Sequence, residues 1–334
     1  MTGLIDYLAA PWDHVFMQRA FLVAAMSGVV SGVIGTHVVL RGMAFIGDAV
    51  SHSVFPGVAI AFVLHASLVV GGAVAGLITA LAAAVFSQNR RLKEDSVIGV
   101  FFAAAFGLGI VVLSTAPGYS GSLESFLFGQ ILGISDRDVV TVAITGAVLL
   151  ATALLLHKEL VAVSLDRETA RSLGLPVFAL DIVLYALVTI TVVISLQAVG
   201  NVLVLALLIT PATCARLLTD RIAVMMLLAP AIGTASAVAG LYLSYTYNWA
   251  AGGLIVLVAT AVFVVCWLLA PRHGLIAGLL RRRAAGGSGH TAGDDAGDGG
   301  EGAAGEGAAD QGAADQGDGR PGPAVTLAGG NGGA

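Results

Sequence analysis

Asp48, Ser51 and His52 are the residues of this chain whose types and spacing could do chemistry. They lie in residues 41–65, RGMAFIGDAVSHSVFPGVAIAFVLH, early in an otherwise apolar run. On an α-helix, positions i, i+3 and i+4 share a face, so the three side chains are expected to project together. A carboxylate and an imidazole at membrane depth are costly, and such groups normally face a bundle interior or a water-filled path. Pro56 lacks the N–H that would bond the carbonyl of His52, which leaves that oxygen open beside the pair. Gly47 and Gly57 allow close approach of neighbouring helices. A transport or ligand-binding role fits such groups. Helix packing alone is the plainer alternative.

The elements that must position these residues are membrane spans. The chain is 57% hydrophobic and 11% charged, with a mean hydropathy of +0.92. That composition indicates an all-α, polytopic membrane helix bundle. Apolar runs near the ~20 residues a bilayer requires occur at about 21–40, 44–65, 68–86, 97–114, 139–156, 182–196, 199–218, 222–242 and 254–270. They give eight or nine spans. Gly28 and Gly32 form a GxxxG pair in the first span, as do Gly72 and Gly76 in the third. Residues 1–283 read as the transmembrane domain. Residues 284–334, rich in Gly, Ala and Asp, cannot bury enough apolar surface to order and read as a disordered tail. The tail holds eight of the 21 acidic residues and only one basic residue, Arg320, so the net charge of −5 arises there.

Basic residues orient the bundle. With the hydrophilic run 90–95 inside, thirteen Lys and Arg residues fall on the cytoplasmic side and two, Arg19 and Arg137, outside. The C-terminus is then cytoplasmic. No basic n-region or cleavage site marks a removable signal peptide at the N-terminus. Two non-spanning segments stand out. Residues 122–134 are amphipathic and suit a short helix at the outer mouth. Residues 164–176 read as a capped cytoplasmic helix: Asp166 as N-cap, Glu168 in the first turn, Gly174 at C′ and Pro176 as the stop. Leu165, Ala170 and Leu173 give that helix an apolar side. It serves equally as a connector or as a docking element for a cytoplasmic partner.

Other classes are excluded. The two lysines, Lys93 and Lys158, are each followed by Glu, so the chain has no P-loop. It also lacks soluble sequence for a catalytic domain and a basic, aromatic surface for nucleic acid. Cys214 and Cys266 form neither a CxxC nor a disulfide framework. The chain is therefore not read as an enzyme, and any ATP hydrolysis belongs to another polypeptide.

Residues 38–62, VVLRGMAFIGDAVSHSVFPGVAIAF, resemble the signature of the membrane permeases of zinc- and manganese-type ABC importers. Residues 199–221 and 164–177 resemble the late span and the cytoplasmic coupling segment of the same family, in the same order. The resemblance covers residues 16–272. Cys214 departs from it where a small Ala or Thr is usual, and His37 is not part of the pattern. It implies a fold similar to the cobalamin and siderophore permeases, and a homodimer around a central path. It also implies a cytoplasmic ABC ATPase below, an extracytoplasmic metal-binding protein above, and residence in the plasma (inner) membrane. Asp48 and His52 match the positions that contact metal. Asp166, Glu168, Ala170, Leu173 and Gly174 match the ATPase-coupling segment. No cofactor is expected to stay bound; Zn2+ or Mn2+ would pass transiently. One carboxylate and one imidazole per chain become an N2O2 set across a dimer axis, which suits either ion. The imidazole favours zinc, with His37 a possible extra ligand, and manganese stays open. The competing readings are an ion-coupled secondary transporter, an ABC permease for an organic chelate or vitamin, and a membrane scaffold.

Overall fold

Alternation of apolar runs with short polar breaks yields helices throughout. The computed structural model describes residues 10–43, 45–86, 94–114, 133–199 and 201–270. Most of the 122–134 segment, the run 87–93, Arg272, Arg281–Arg283 and the 284–334 tail lie outside the described residues. After a 3-10 turn at Ala10–Asp13 come α1 (Val15–Leu40), α2 (Ile46–Val63), α3 (Leu68–Phe86) and α4 (Glu94–Ser114). There follow α5 (Asp136–Leu155), α6 (His157–Leu165), α7 (Arg167–Ser172), α8 (Val177–Val199), α9 (Asn201–Leu218), α10 (Ile222–Tyr247) and α11 (Ala251–Leu269).

Among the described residues, α1, α2, α5, α8, α10 and α11 are long and apolar enough to cross a membrane. Shorter apolar stretches occupy α3, α4 and α9. These nine helices correspond one for one to the nine expected spans. Several helix ends reach further than the apolar windows, and at α5 the polar end is capped. Ser135 accepts the Asp138 N–H at 3.3 Å, while the Asp138 carboxylate accepts the Ser135 N–H at 3.0 Å, closing a capping box at the start of α5.

Helix α1 lies at the centre, packed on α10, α9, α5 and α8. Its small residues allow this. A Cβ on Gly32 would come within 2.5 Å of the Pro230 backbone, so the GxxxG face is where α10 crosses. Helix α2 packs on α3 and α4, and α8 covers α3 and α2. Two large apolar clusters result. One surrounds Ile34, Val50, Leu184 and Val188 at the α1–α2–α8 junction; the other surrounds Phe21, Leu207 and Leu241. At the first end of α1, Trp12 stacks on Phe21 at 5.0 Å and donates its indole N–H to the Tyr242 hydroxyl at 2.7 Å. Such amphipathic rings suit a membrane–water boundary.

Candidate metal path and coupling segment

Asp48 and His52 sit in the first two turns of α2, one turn apart. His52 Nε2 lies 3.4 Å from Asp48 Oδ1, and both side chains are half-buried. Ser51 does not join them. It is fully buried, and its hydroxyl donates to the Gly47 carbonyl at 2.7 Å, a common way for a helical serine to satisfy itself in an apolar setting. The expected three-residue face is therefore a two-residue face. Helix α2 runs on through Pro56. Gly57 then meets Gly71 of α3 closely; a Cβ there would lie 2.1 Å from the Gly71 carbonyl oxygen. That contact fixes how α2 sits against α3 beyond the pair.

Two residues that the sequence reading missed pack against His52. The rings of Phe102 and Phe106 on α4 meet that of His52 at centroid distances of 5.0 and 5.4 Å, near perpendicular to it. Their i, i+4 spacing was a visible sign that both face one neighbour. The arrangement holds the imidazole between an apolar wall and a carboxylate. His37 is elsewhere. It is fully buried in α1, and its ring meets that of His157 edge-on at 5.4 Å. Among the described residues no group of three or more His, Cys, Asp or Glu is placed to hold a metal ion. The His37 face of α1 is turned toward α6. Cys214 and Cys266 are both buried and free.

At the far end of α1 lies the segment expected to couple to an ATPase. Asp166 caps α7, accepting from the backbone N–H groups of Glu168 at 2.9 Å and Thr169 at 3.2 Å and from the Thr169 hydroxyl at 2.5 Å. The Thr169 hydroxyl, then the backbone donors, hold the Asp166 carboxyl below its ordinary 3.8. The other end is a full Schellman motif. Gly174 N–H donates to Arg171 and Leu175 N–H to Ala170, with Gly174 at φ +77°. The caps fall where the sequence placed them. The apolar side does not: Ala170 is 1% exposed in the core, whereas Leu165 and Leu173 are 71% and 73% exposed. Only six residues separate the caps, too few for the helix to present one stripe made of all three. Glu168 lies in the first turn of α7.

A charged node underlies this helix. Asp181, at the start of α8, accepts from Arg41 at 2.5 Å through one oxygen and from Arg167 through the other; Arg41 also donates to Ser164 at 3.2 Å. A cavity of about 190 Å³ opens beside it, lined by Arg41, Val163, Ser164, Leu165 and Arg167.

The family model of the ABC 3 transport family matches residues 13–270, all nine long helices included. The chain belongs to the ABC 3 transport family. It is a multi-pass membrane protein, in keeping with its several long apolar helices. The manganese transport system membrane protein MntC of Halalkalibacterium halodurans is 41% identical over 276 residues, 83% of this chain and 94% of that protein. The chelated iron transport system membrane protein YfeC of Yersinia pestis is 38% identical over 280 residues, 84% of this chain and 95% of that one. Among solved structures, PsaBC from Streptococcus pneumoniae in complex with Fab aligns with a TM-score of 0.70 at 34% identity, covering 84% of this chain and 99% of that chain. The expected relation to metal-importer permeases therefore holds for this ABC 3 chain along the whole bundle.

Proposed function

We propose that this chain passes a divalent transition-metal ion inward along a path formed by Asp48 and His52 of two copies. The chain is the permease subunit of an ABC importer, and ATP hydrolysis belongs to a separate ATPase subunit. The observation that carries the metal path is the Asp48–His52 pair, 3.4 Å apart and partly open on a helix inside an apolar bundle. One oxygen and one nitrogen ligand per chain are too few for tight binding, and a second copy would double them. Water completes such a set, which keeps binding loose enough for release. The relatives carry manganese and chelated iron in their names, and a carboxylate–imidazole set accepts either of those ions as well as zinc. Manganese is the first ion to test.

The distribution of basic residues supports a cytoplasmic α6–α7 end and C-terminus. In that orientation Leu165 and Leu173 are the outward apolar residues offered to the ATPase, with Asp166 and Gly174 fixing the helix between them and Glu168 on its first turn. Ala170 anchors the helix to the permease itself. An extracytoplasmic metal-binding protein would deliver the ion at the opposite end, where Trp12 and Tyr242 lie.

Asp48→Asn and His52→Ala are expected to abolish uptake of radiolabelled manganese, iron and zinc at limiting concentration while the permease still co-purifies with its ATPase. Wild-type uptake by both variants would remove the pair from the path.

A further inference from the structure

Asp181 spends each of its carboxylate oxygens on a different part of the molecule. Oδ1 accepts from Arg41, the C-cap residue of α1, and Oδ2 accepts from Arg167, the first residue of α7. The Asp181 side chain is 2% exposed and that of Arg41 is 5% exposed, so this is an interior node rather than a surface pair. Arg41 is also held to the end of α6 through Ser164. Only residues 42–45 separate Arg41 from α2, and within that link Gly42 turns at φ +70° and Met43 is buried. Asp48 follows seven residues after Arg41.

We propose that Arg41, Asp181 and Arg167 form the joint through which displacement of α7 is passed to α2 and so to Asp48 and His52. This rests on the reading of the chain as an ATP-driven permease. Three features support it. The node joins the three segments that must move together: the short helix that meets a partner, the start of α8, and the hinge before the metal-bearing helix. Its two bonds diverge from a single carboxylate, so a shift of Arg167 draws on the group that restrains Arg41. Stability alone does not call for it either, because a buried ion network contributes little net stability over well-packed apolar groups of similar volume. Charge-assisted bonds are short and directional, which suits a part that must hold its geometry under load. All three are positioning residues: none of them meets the ion.

The test uses the assembled importer, with its ATPase and metal-binding protein, in proteoliposomes supplied with Mn2+. The readout is ions moved per ATP hydrolysed. Removing one partner leaves a buried charge unpaired, so the principal variant is Arg41→Met/Asp181→Leu/Arg167→Met, which replaces the whole node by apolar side chains. It is expected to assemble with the ATPase and to lose about tenfold in ions per ATP, within the roughly 5- to 150-fold span of site-to-site coupling. Arg167→Gln, at the more exposed end of the node, is expected to lower the ratio in the same direction. Arg167→Lys, which keeps a charged donor, is expected to restore it. An assembled triple variant with the wild-type ratio, or an Arg167→Gln variant with the wild-type ratio where the triple variant does not assemble, overturns the joint. A wild-type complex that moves no metal in response to ATP overturns the permease reading and the joint together, a result distinct from normal transport by uncharged variants.

Discussion

The wall that Phe102 and Phe106 present to His52 gives the most direct quantitative test of the proposed path. Both contacts are edge-on, at 5.0 and 5.4 Å, and each such aromatic pair is worth ~0.5–1.5 kcal/mol beyond area burial. Phe102→Leu/Phe106→Leu keeps the wall apolar and removes both ring contacts. The imidazole then loses about 1–3 kcal/mol of orienting interaction. At ~1.4 kcal/mol per factor of ten, that corresponds to a rise of roughly 5- to 150-fold in the KM for manganese uptake. Asp48 still restrains the ring from the other side, which places the expected value toward the lower end. Phe101→Leu is the control, since Phe101 packs on Phe86 at 5.1 Å and away from the pair. Initial-rate uptake of radiolabelled manganese, normalised to permease in the membrane, measures the effect. A double variant with the KM of wild type at equal protein level would refute the view that the ring wall orients His52 for ligation.

Leu165→Asp and Leu173→Asp should abolish co-purification with the ATPase at normal permease levels, because both side chains face outward; Ala170→Asp should instead lower the amount of folded permease, because that site is in the core. The cap at Asp166 carries a pH dependence. Its folded carboxyl is held low, so its contribution is complete above the ordinary carboxylate value and is lost as pH falls below it. Hydrogen-exchange protection of α7 amides should therefore drop in acid for the wild type but stay level for Asp166→Asn. Gly57→Leu should reduce folded permease, since any side chain there meets the Gly71 carbonyl at under van der Waals distance; thermal unfolding in detergent would show it. Deleting residues 287–334 should leave uptake unchanged at equal expression, because Val325 and Leu327 are its only large apolar residues and cannot build a core.

Much of this was legible in the sequence because membrane helices announce themselves by length. Nine apolar runs became nine helices, since lipid leaves a backbone few other ways to satisfy its polar groups. The ends were less legible. Hydropathy reports only the apolar interior, and α1, α4 and α10 extend past it through Gln18, Glu94 and Tyr247. The Asp48–His52 pair and both caps of α7 followed from local spacing. Ser51 did not, because its hydroxyl had a backbone partner one turn away that spacing does not register. The side-chain pattern of α7 misled for a related reason: the alanine in its middle is small enough to enter the core while the leucines on either side turn out. The Arg41–Asp181 pair spans 140 positions and His37–His157 spans 120, and no local rule reaches so far.

The way α7 is closed at both ends has a thermodynamic consequence. Six residues are too few to form a stable helix alone, because nucleation costs more than so short a run returns. Here the ordering is already complete before any partner arrives. Asp166 closes one end, the left-handed Gly174 closes the other, and Ala170 fastens the middle to the core. A protein that docks on this end meets a finished surface, and association bears little of the entropy loss that a folding loop would impose. The docking equilibrium should then show a small heat-capacity change, in proportion to the contact area alone, and a binding rate that does not wait on helix formation.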